Sequence, residues 1–240
     1  MTIEEKHSHH CERQDHARAH THKACVSLVP IFNHLSDEQL DEIMVTTQST
    51  SFKKGEMIYH AGEESNALYI VNQGKIRIYR LAESGKEQLV RILNPGDFTG
   101  EMALFNETTH ESYAEAMVAT KVCRIRREDL QSFLVKYPTI SLKILQELSS
   151  RIDETEKQAT RFSTESVETR IASFLAECLD AEASGRSFTL PMSKKDLASY
   201  LGTTPETISR KLGDLEDKGL IRQKPKKKIE VLDLDGLLLV

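Results

Sequence analysis

The chain changes its hydrophobic period several times, and each change predicts a different element. Residues 1–27 hold almost no apolar side chains, so they bury too little surface to fold without a ligand. From Val29 the segment PIFNHLSDEQLDEIMVTT offers Ser36 as a cap and a short helix with Leu40, Ile43 and Met44 on its inward face. Between Phe52 and Arg126, glycines at 55, 62, 74, 85, 96 and 100 punctuate short runs such as ALYIVNQG, KIRIYRL and QLVRIL. Apolar and polar positions alternate within the runs, which predicts an antiparallel barrel or jelly roll. After the strand KVCRIR the period becomes helical. Leu145, Leu148, Ile152, Thr155, Ala159 and Phe162 follow at alternating spacings of three and four, the seam of a two-stranded coiled coil and hence a dimer interface. Thr155 and Ala159 weaken the middle of that seam, which suits a switch. The competing reading is one amphipathic helix packed on its own barrel.

The segment SKKDLASYLGTTPETISRKLGDLEDKGLI predicts two short helices joined by a tight turn, a helix-turn-helix. Ser193 and Asp196 start the first helix and Gly202 closes it; Thr204 and Pro205 start the second, which runs to Gly219. In the second helix Ile208, Leu212 and Leu215 share the inward face and Glu206, Ser209, Arg210 and Gly213 the outward one. Such a small, polar outward face suits a recognition helix in the major groove, where Arg210 can take both acceptors of a guanine and Glu206 can accept from a cytosine amino group. KPKKKIEVLDL reads as a β-hairpin wing with its lysines along the DNA backbone. The expected DNA-facing set is Thr204, Glu206, Ser209, Arg210, Lys194, Lys195, Lys211, Lys226, Lys227 and Lys228. The formal net charge of -5 requires that any affinity for double-stranded DNA come from this local basic excess.

The expected architecture is therefore α+β: a tail over 1–27, a jelly-roll sensor domain over 28–136, a long dimerisation helix over 137–163 and a winged helix-turn-helix over 164–240. No run approaches the roughly 18 apolar residues of a membrane span, and the polar N-terminus is unlike a signal peptide. Four scattered cysteines, Cys11, Cys25, Cys123 and Cys178, fit a reducing compartment, so a cytoplasmic homodimer without membrane contact is expected. The tail concentrates six of the nine histidines (His7, His9, His10, His16, His20 and His22) beside Cys11 and Cys25. Thiolate and imidazole together suit zinc, and the HHC and HKAC spacings would allow it. Cys178 continues the apolar face of Val167, Ile171 and Phe174 and reads as core; Cys123 shares strand parity with Ile125 and has an inert-core reading too. His34, His60 and His110 stand alone in the sequence, with His60 and His110 far apart, so a cupin-like metalloenzyme is disfavoured. A small-ligand-binding module without transcriptional output is the other rival, opposed by the recognition helix.

These segments, above all ALYIVNQGKIRIY, NPGDFTGEMALF, the seam helix and TPETISRKLGDLEDKGLI, resemble the CRP/FNR superfamily of bacterial transcription regulators from about residue 22 onward. The resemblance implies a jelly-roll sensor, a dimerisation helix and a winged helix bound to a palindrome, with RNA polymerase as a partner. Glu206 to Arg210 match the ETISR string of the FNR branch, whose half-sites contain TTGA, while Pro205 stands where the cyclic-AMP branch usually has an arginine. A cyclic-nucleotide pocket like the family's would use Glu101 for the ribose and an arginine and a serine at 111 and 112 for the cyclic phosphate. This chain has Glu111 and Ser112, and a carboxylate repels a phosphate, so cyclic AMP is not the expected signal. The FNR branch holds a [4Fe-4S] cluster on four cysteines. Cys123 and Cys25 match two of them, His22 stands three residues before Cys25, and Val29 occupies the approximate place of another. An iron-sulfur cluster, zinc, or a reversible disulfide from Cys123 to Cys25 or Cys11 remain the alternatives, with Cys11, His22, Cys25 and Cys123 as the sensory set.

Overall fold

The computed structural model describes residues 26–106, 108–180 and 185–240. The chain packs as two compact units, one of residues up to Leu81 with Val90–Ser150, the other of Ala82–Leu89 with Arg151–Val240.

In the first unit α1 (Asp37–Thr46) starts at a capping box: Ser36 Oγ accepts from Gln39 N, and Gln39 Oε1 accepts from Ser36 N at 2.9 Å. Its Leu40 and Ile43 are buried and Met44 packs beside them, as the pattern predicts. Two four-stranded sheets follow. One has the order β1 (Gln48–Phe52), β10 (Thr120–Arg126), β4 (Ala67–Gln73), β7 (Phe98–Thr99). The other runs β2 (Met57–Tyr59), β9 (Tyr113–Ala116), β5 (Ile76–Leu81), β6 (Glu87–Leu93), and β3 (Glu64–Ser65) pairs β8 (Thr108–Thr109). The six glycines that punctuate the strands all have positive φ, the left-handed turns that end each run. Strand β10 runs antiparallel between β1 and β4, with Cys123 across from Ser49 on one side and Ile70 on the other. Period-two alternation then divides its side chains. Val122 faces a core with Tyr59, Val71 and Ile76, whereas Cys123 and Ile125 face a second core with Val26, Val29, Phe32, Leu130, Ile140 and Ile144.

That second core is closed by α2 (Arg127–Lys136) and the start of α3 (Pro138–Thr164). At 27 residues α3 is roughly 40 Å long. The helix packs on its own barrel for only part of its length. Ile140 and Ile144 are buried and Leu148 packs partly on its own core, whereas Leu145 and Ile152 are 58% and 59% exposed.

The second unit holds α4 (Val167–Asp180), β11 (Ser187–Thr189), α5 (Lys194–Tyr200), α6 (Pro205–Asp217), β12 (Ile221–Lys224), β13 (Lys228–Val231) and α7 (Leu234–Leu238), with sheet order β11-β13-β12. Ile171, Leu175, Leu197, Ile208, Leu212 and Leu215 are fully buried, each worth about 1.5–3 kcal/mol on folding. The α5–α6 turn is made at Gly202, with φ of +67°. Phe162, a residue of the expected seam, has a neighbour within its own unit here. The ring turns toward this turn, so that a methyl group added at Gly202 would lie 3.2 Å from Phe162 Cε1, and the Arg170 guanidinium sits 5.0 Å from the ring centroid.

Gly202 and Gly219 share the left-handed conformation, but only Gly202 has a neighbour within 4 Å of a prospective Cβ. Gly219→Ala should therefore cost about 1 kcal/mol from backbone conformation alone, and Gly202→Ala distinctly more. In a double-mutant cycle scored by chemical unfolding, Phe162→Leu should relieve the excess at Gly202 and leave the cost at Gly219 unchanged. Equal costs at the two glycines, or no coupling to Phe162, would remove the contact from the account.

Candidate nucleic-acid interface and cysteine site

The rotation of α6 about its axis is set by what it buries. Ile208, Leu212 and Leu215 have no exposure, which leaves Glu206, Ser209 and Arg210 on the exposed side, and nothing lies within 4 Å of a Cβ built on Gly213. The helix opens on Thr204, whose side chain accepts from Thr207 N, followed by Pro205 at the first helical position. Glu206 bonds its own backbone N–H and the Thr204 hydroxyl, which hold its carboxyl below the usual range and keep it ionised. Arg210 has no hydrogen-bond or ion-pair partner among the described residues, so its five donors remain available.

The lysines divide. Lys195 is exposed, and Lys194 Nζ lies 3.2 Å from Gln223 Oε1 of the wing. Lys226 and Lys227 form the β12–β13 turn with φ of 61° each, a conformation that non-glycine residues seldom adopt, and both are exposed beside Lys228. Lys211 behaves differently from its neighbours. Its Nζ lies 2.6 Å from Glu168 and 3.3 Å from Asp214, and its side chain is only 26% exposed. Glu168 also takes Lys218 at 2.5 Å, and the two lysines hold its carboxyl below the usual range. Lys211 and Lys218 thus fasten α6 to the first turn of α4.

Cys123 is fully buried and its sulfur is held in a disulfide. Cys11, His22 and Cys25 lie outside the described residues. Cys178 is a free, half-buried thiol of the second unit, and burial, with Glu177 nearby, pushes its pKa up to about 11, so it stays protonated near neutral pH. That leaves three cysteines in the remainder of the chain, and a four-thiolate cluster does not fit such a donor set. Among the described residues no group of three or more His, Cys, Asp or Glu is placed to hold a metal ion.

The barrel's polar groups are tied to one another. Glu101, 11% exposed, pairs with Arg91 at 3.0 Å, and Glu111 pairs with Arg80 at 2.5 Å. The Tyr59 hydroxyl lies 2.8 Å from Thr99 Oγ1, and its ring stacks on His110 with centroids 3.7 Å apart. The expectation that His60 and His110 lie far apart is corrected here. His60 Nδ1 lies 2.8 Å from Glu63, His110 N donates to Glu63 O, and the charges of both rings act on the Glu63 carboxylate. Pairing of the β2–β3 turn with the residues ahead of β9 makes them neighbours, which separation along the chain hides.

Sequence reasoning missed β11, although Phe188, Leu190 and Met192 are buried at period two, and α7, whose start is marked by Asp233 accepting from Gly236 N. It also missed Arg170 and Glu168, which no local pattern distinguishes.

Residues 49–137 match the family model for the cyclic nucleotide-binding domain, and residues 169–239 match that for the Crp-like helix-turn-helix domain. A probable transcriptional regulator flp from Lacticaseibacillus casei is 36% identical over 214 residues, covering 89% of this chain and 96% of that protein. The fumarate and nitrate reduction regulatory protein of Shigella dysenteriae is 30% identical over 212 residues, covering 86% and 84%. The solved structure of FixK2 from Bradyrhizobium japonicum covers 80% of this chain and 95% of its own, with a TM-score of 0.70 at 27% identity. These relatives are regulators rather than enzymes, and among the described residues no helix is long and apolar enough to cross a membrane. With an antiparallel sensor barrel, a long helix and a helix-turn-helix in the order these relatives share, the chain belongs to the CRP/FNR family of DNA-binding transcription regulators.

Proposed function

We propose that the chain works in the cytoplasm as a homodimer that reads a palindrome with TTGA-type half-sites and responds to redox state through Cys123 and the N-terminal Cys/His segment, with RNA polymerase as its partner at promoters. The observation that carries the DNA reading is the outward face of α6, where Arg210 is exposed and uncommitted. Its fork matches the N7 and O6 acceptors of the half-site guanine, and Glu206, held ionised, suits the amino group of the cytosine opposite. Lys194, Lys195, Lys226, Lys227 and Lys228 supply phosphate contacts, while Lys211 serves mainly to hold the helix. The exposed stripe of Leu145, Ile152, Thr155 and Ala159 is the surface on which two copies of α3 pair, and pairing sets the two recognition helices about one turn of DNA apart.

For the signal, cyclic AMP is disfavoured because Glu101 and Glu111 are each committed to an arginine and Glu111 would face the phosphate. Support for a thiol switch comes from the Cys123 disulfide and from the core that Cys123 shares with Val26, the first described residue after the tail. Adding two electrons and two protons would free two thiols, one of them in the core that also holds Ile140 and Ile144 of α3, a change that can bias a marginal seam. A zinc bridge through the same groups makes the opposite prediction about reagents, since chelator rather than reductant would release it.

Arg210→Ala should weaken binding to a TTGA palindrome by about 1–3 kcal/mol per half-site while barely altering binding to random duplex. Lys227→Ala should weaken all duplexes alike and lower the salt slope by roughly one unit. The assignment of roles fails if both substitutions act equally on specific and random DNA. Ile152→Glu should give a monomer by sedimentation that binds the palindrome poorly, because two carboxylates would face each other across the seam; an intact dimer moves the interface elsewhere. DNA binding by the parent should change with reductant and ignore chelator, and Cys123→Ser should abolish that dependence where Cys178→Ser preserves it. Dependence on chelator alone replaces the disulfide by a metal bridge, and indifference to both reagents leaves Cys123 as an inert core residue.

A further inference from the structure

The second unit contains a cavity of about 450 Å3 between the last turns of α3, one face of α4 and the end of α5, within the size range of small-molecule sites. It opens to solvent, and its walls mix rings with charges. Three rings, Phe162, Phe174 and Tyr200, line it, with Phe174 and Tyr200 at 5.9 Å between centroids. Three cations, Lys157, Arg161 and Arg170, line it as well. Lys157 is paired with Asp153 at 2.7 Å and Arg161 with Glu177 at 2.6 Å. Arg170 is in no ion pair among the described residues; its one hydrogen bond, to Phe162 O, is long at 3.5 Å, and its Nε is out of solvent without a partner. Glu154 and Glu177 also line the cavity; Glu177 is taken by Arg161, and Glu154 is exposed. The wall therefore presents a guanidinium short of hydrogen-bond acceptors beside aromatic surface.

Helix geometry keeps most of the α3 wall of this cavity clear of the seam. At about 100° per residue, Glu154, Gln158 and Arg161 fall on one side of α3, and Ile152, Thr155 and Ala159 on the opposite side. Phe162 lies at the edge of the seam, about 20° from Thr155, while Glu154, Lys157 and Arg161 would stay uncovered when two α3 helices pair.

We propose that this cavity is a binding site for a small aromatic carboxylate, its carboxylate held by Arg170 and its flat apolar body among Phe162, Phe174 and Tyr200. A guanidinium fork matches a carboxylate in plane, and Arg170 is the lining cation that has no ion-pair partner among the described residues. The occupant would touch α3, α4 and α5 together, so it would fix the seam helix against the first helix of the helix-turn-helix. The site is separate from Cys123 and does not depend on the redox reading.

The test is a fluorescence titration of the full chain with 8-anilinonaphthalene-1-sulfonate, an aromatic monoanion that brightens when desolvated. One saturable site per chain is expected, with 2-naphthoate displacing the dye and the neutral 2-naphthamide failing to do so. Arg170→Gln should weaken binding by about tenfold or more, and Lys157→Glu, a change at a solvent-exposed side chain, by a smaller but measurable factor. Thermal unfolding checks that Arg170→Gln remains folded; if it does not, Lys157→Glu and the carboxylate-amide pair decide. Dye binding that does not saturate, that keeps its affinity when the cavity charge is altered, or that the amide relieves as well as the acid, overturns the proposal.

Discussion

The burial of Ile208, Leu212 and Leu215 is the interaction on which the DNA-reading face depends. Three apolar side chains at spacings of four and three, all fully enclosed, allow α6 only one rotation about its axis. With each worth about 1.5–3 kcal/mol, turning the helix by even one residue would cost more than any surface contact could recover. Glu168 adds a second constraint by binding Lys211 and Lys218 on the same helix and its C-cap. What remains outward is Glu206, Ser209 and Arg210 at the end of the helix that opens on the Thr204 cap. Chemistry suited to base edges is thus presented by packing that has nothing to do with DNA.

The long helix α3 is the element through which a signal would have to pass. It begins in the apolar core that also contains Cys123, where Ile140 and Ile144 are buried. It ends near Phe162, which lies against the Gly202 turn and under the Arg170 guanidinium. Between those anchored ends its exposed middle carries Ile152, Thr155 and Ala159, a seam with one strong residue in three. Under the proposed pairing, an element held at both ends and weakly paired in the middle is a sensible place for a few kcal/mol at one end to be felt at the other. The redox and ligand proposals act on its two ends independently.

What was legible in the sequence follows from the range of the forces involved. Capping boxes at Ser36 and Ser193, left-handed glycines between strands, and the division of α6 into buried and exposed faces are local, so periodicity and spacing reveal them. The shared parity of Cys123 and Ile125 is local too, and both face one core. Lys211 shows where this stops. Its spacing puts it near the recognition face, but Glu168, 43 residues away in sequence, draws it inward, and no one-dimensional pattern encodes that meeting. Phe162 continues the 3-4 spacing of the expected seam, and its approach to Gly202, far along the chain, is invisible to that spacing. His60 and His110 became neighbours only through strand pairing, and β11 was overlooked because three residues between helices give a short period-two signal.

The central claim is that α6 reads base edges from a two-fold symmetric dimer. Selection of tight binders from a pool of random duplexes, followed by sequencing, tests it without presuming a site. The account predicts an inverted repeat whose half-sites each contain TTGA and are centred about 10 base pairs apart, one turn of the double helix. A selected sequence with a single unrepeated element, or a pool with no enriched sequence at all, would contradict it.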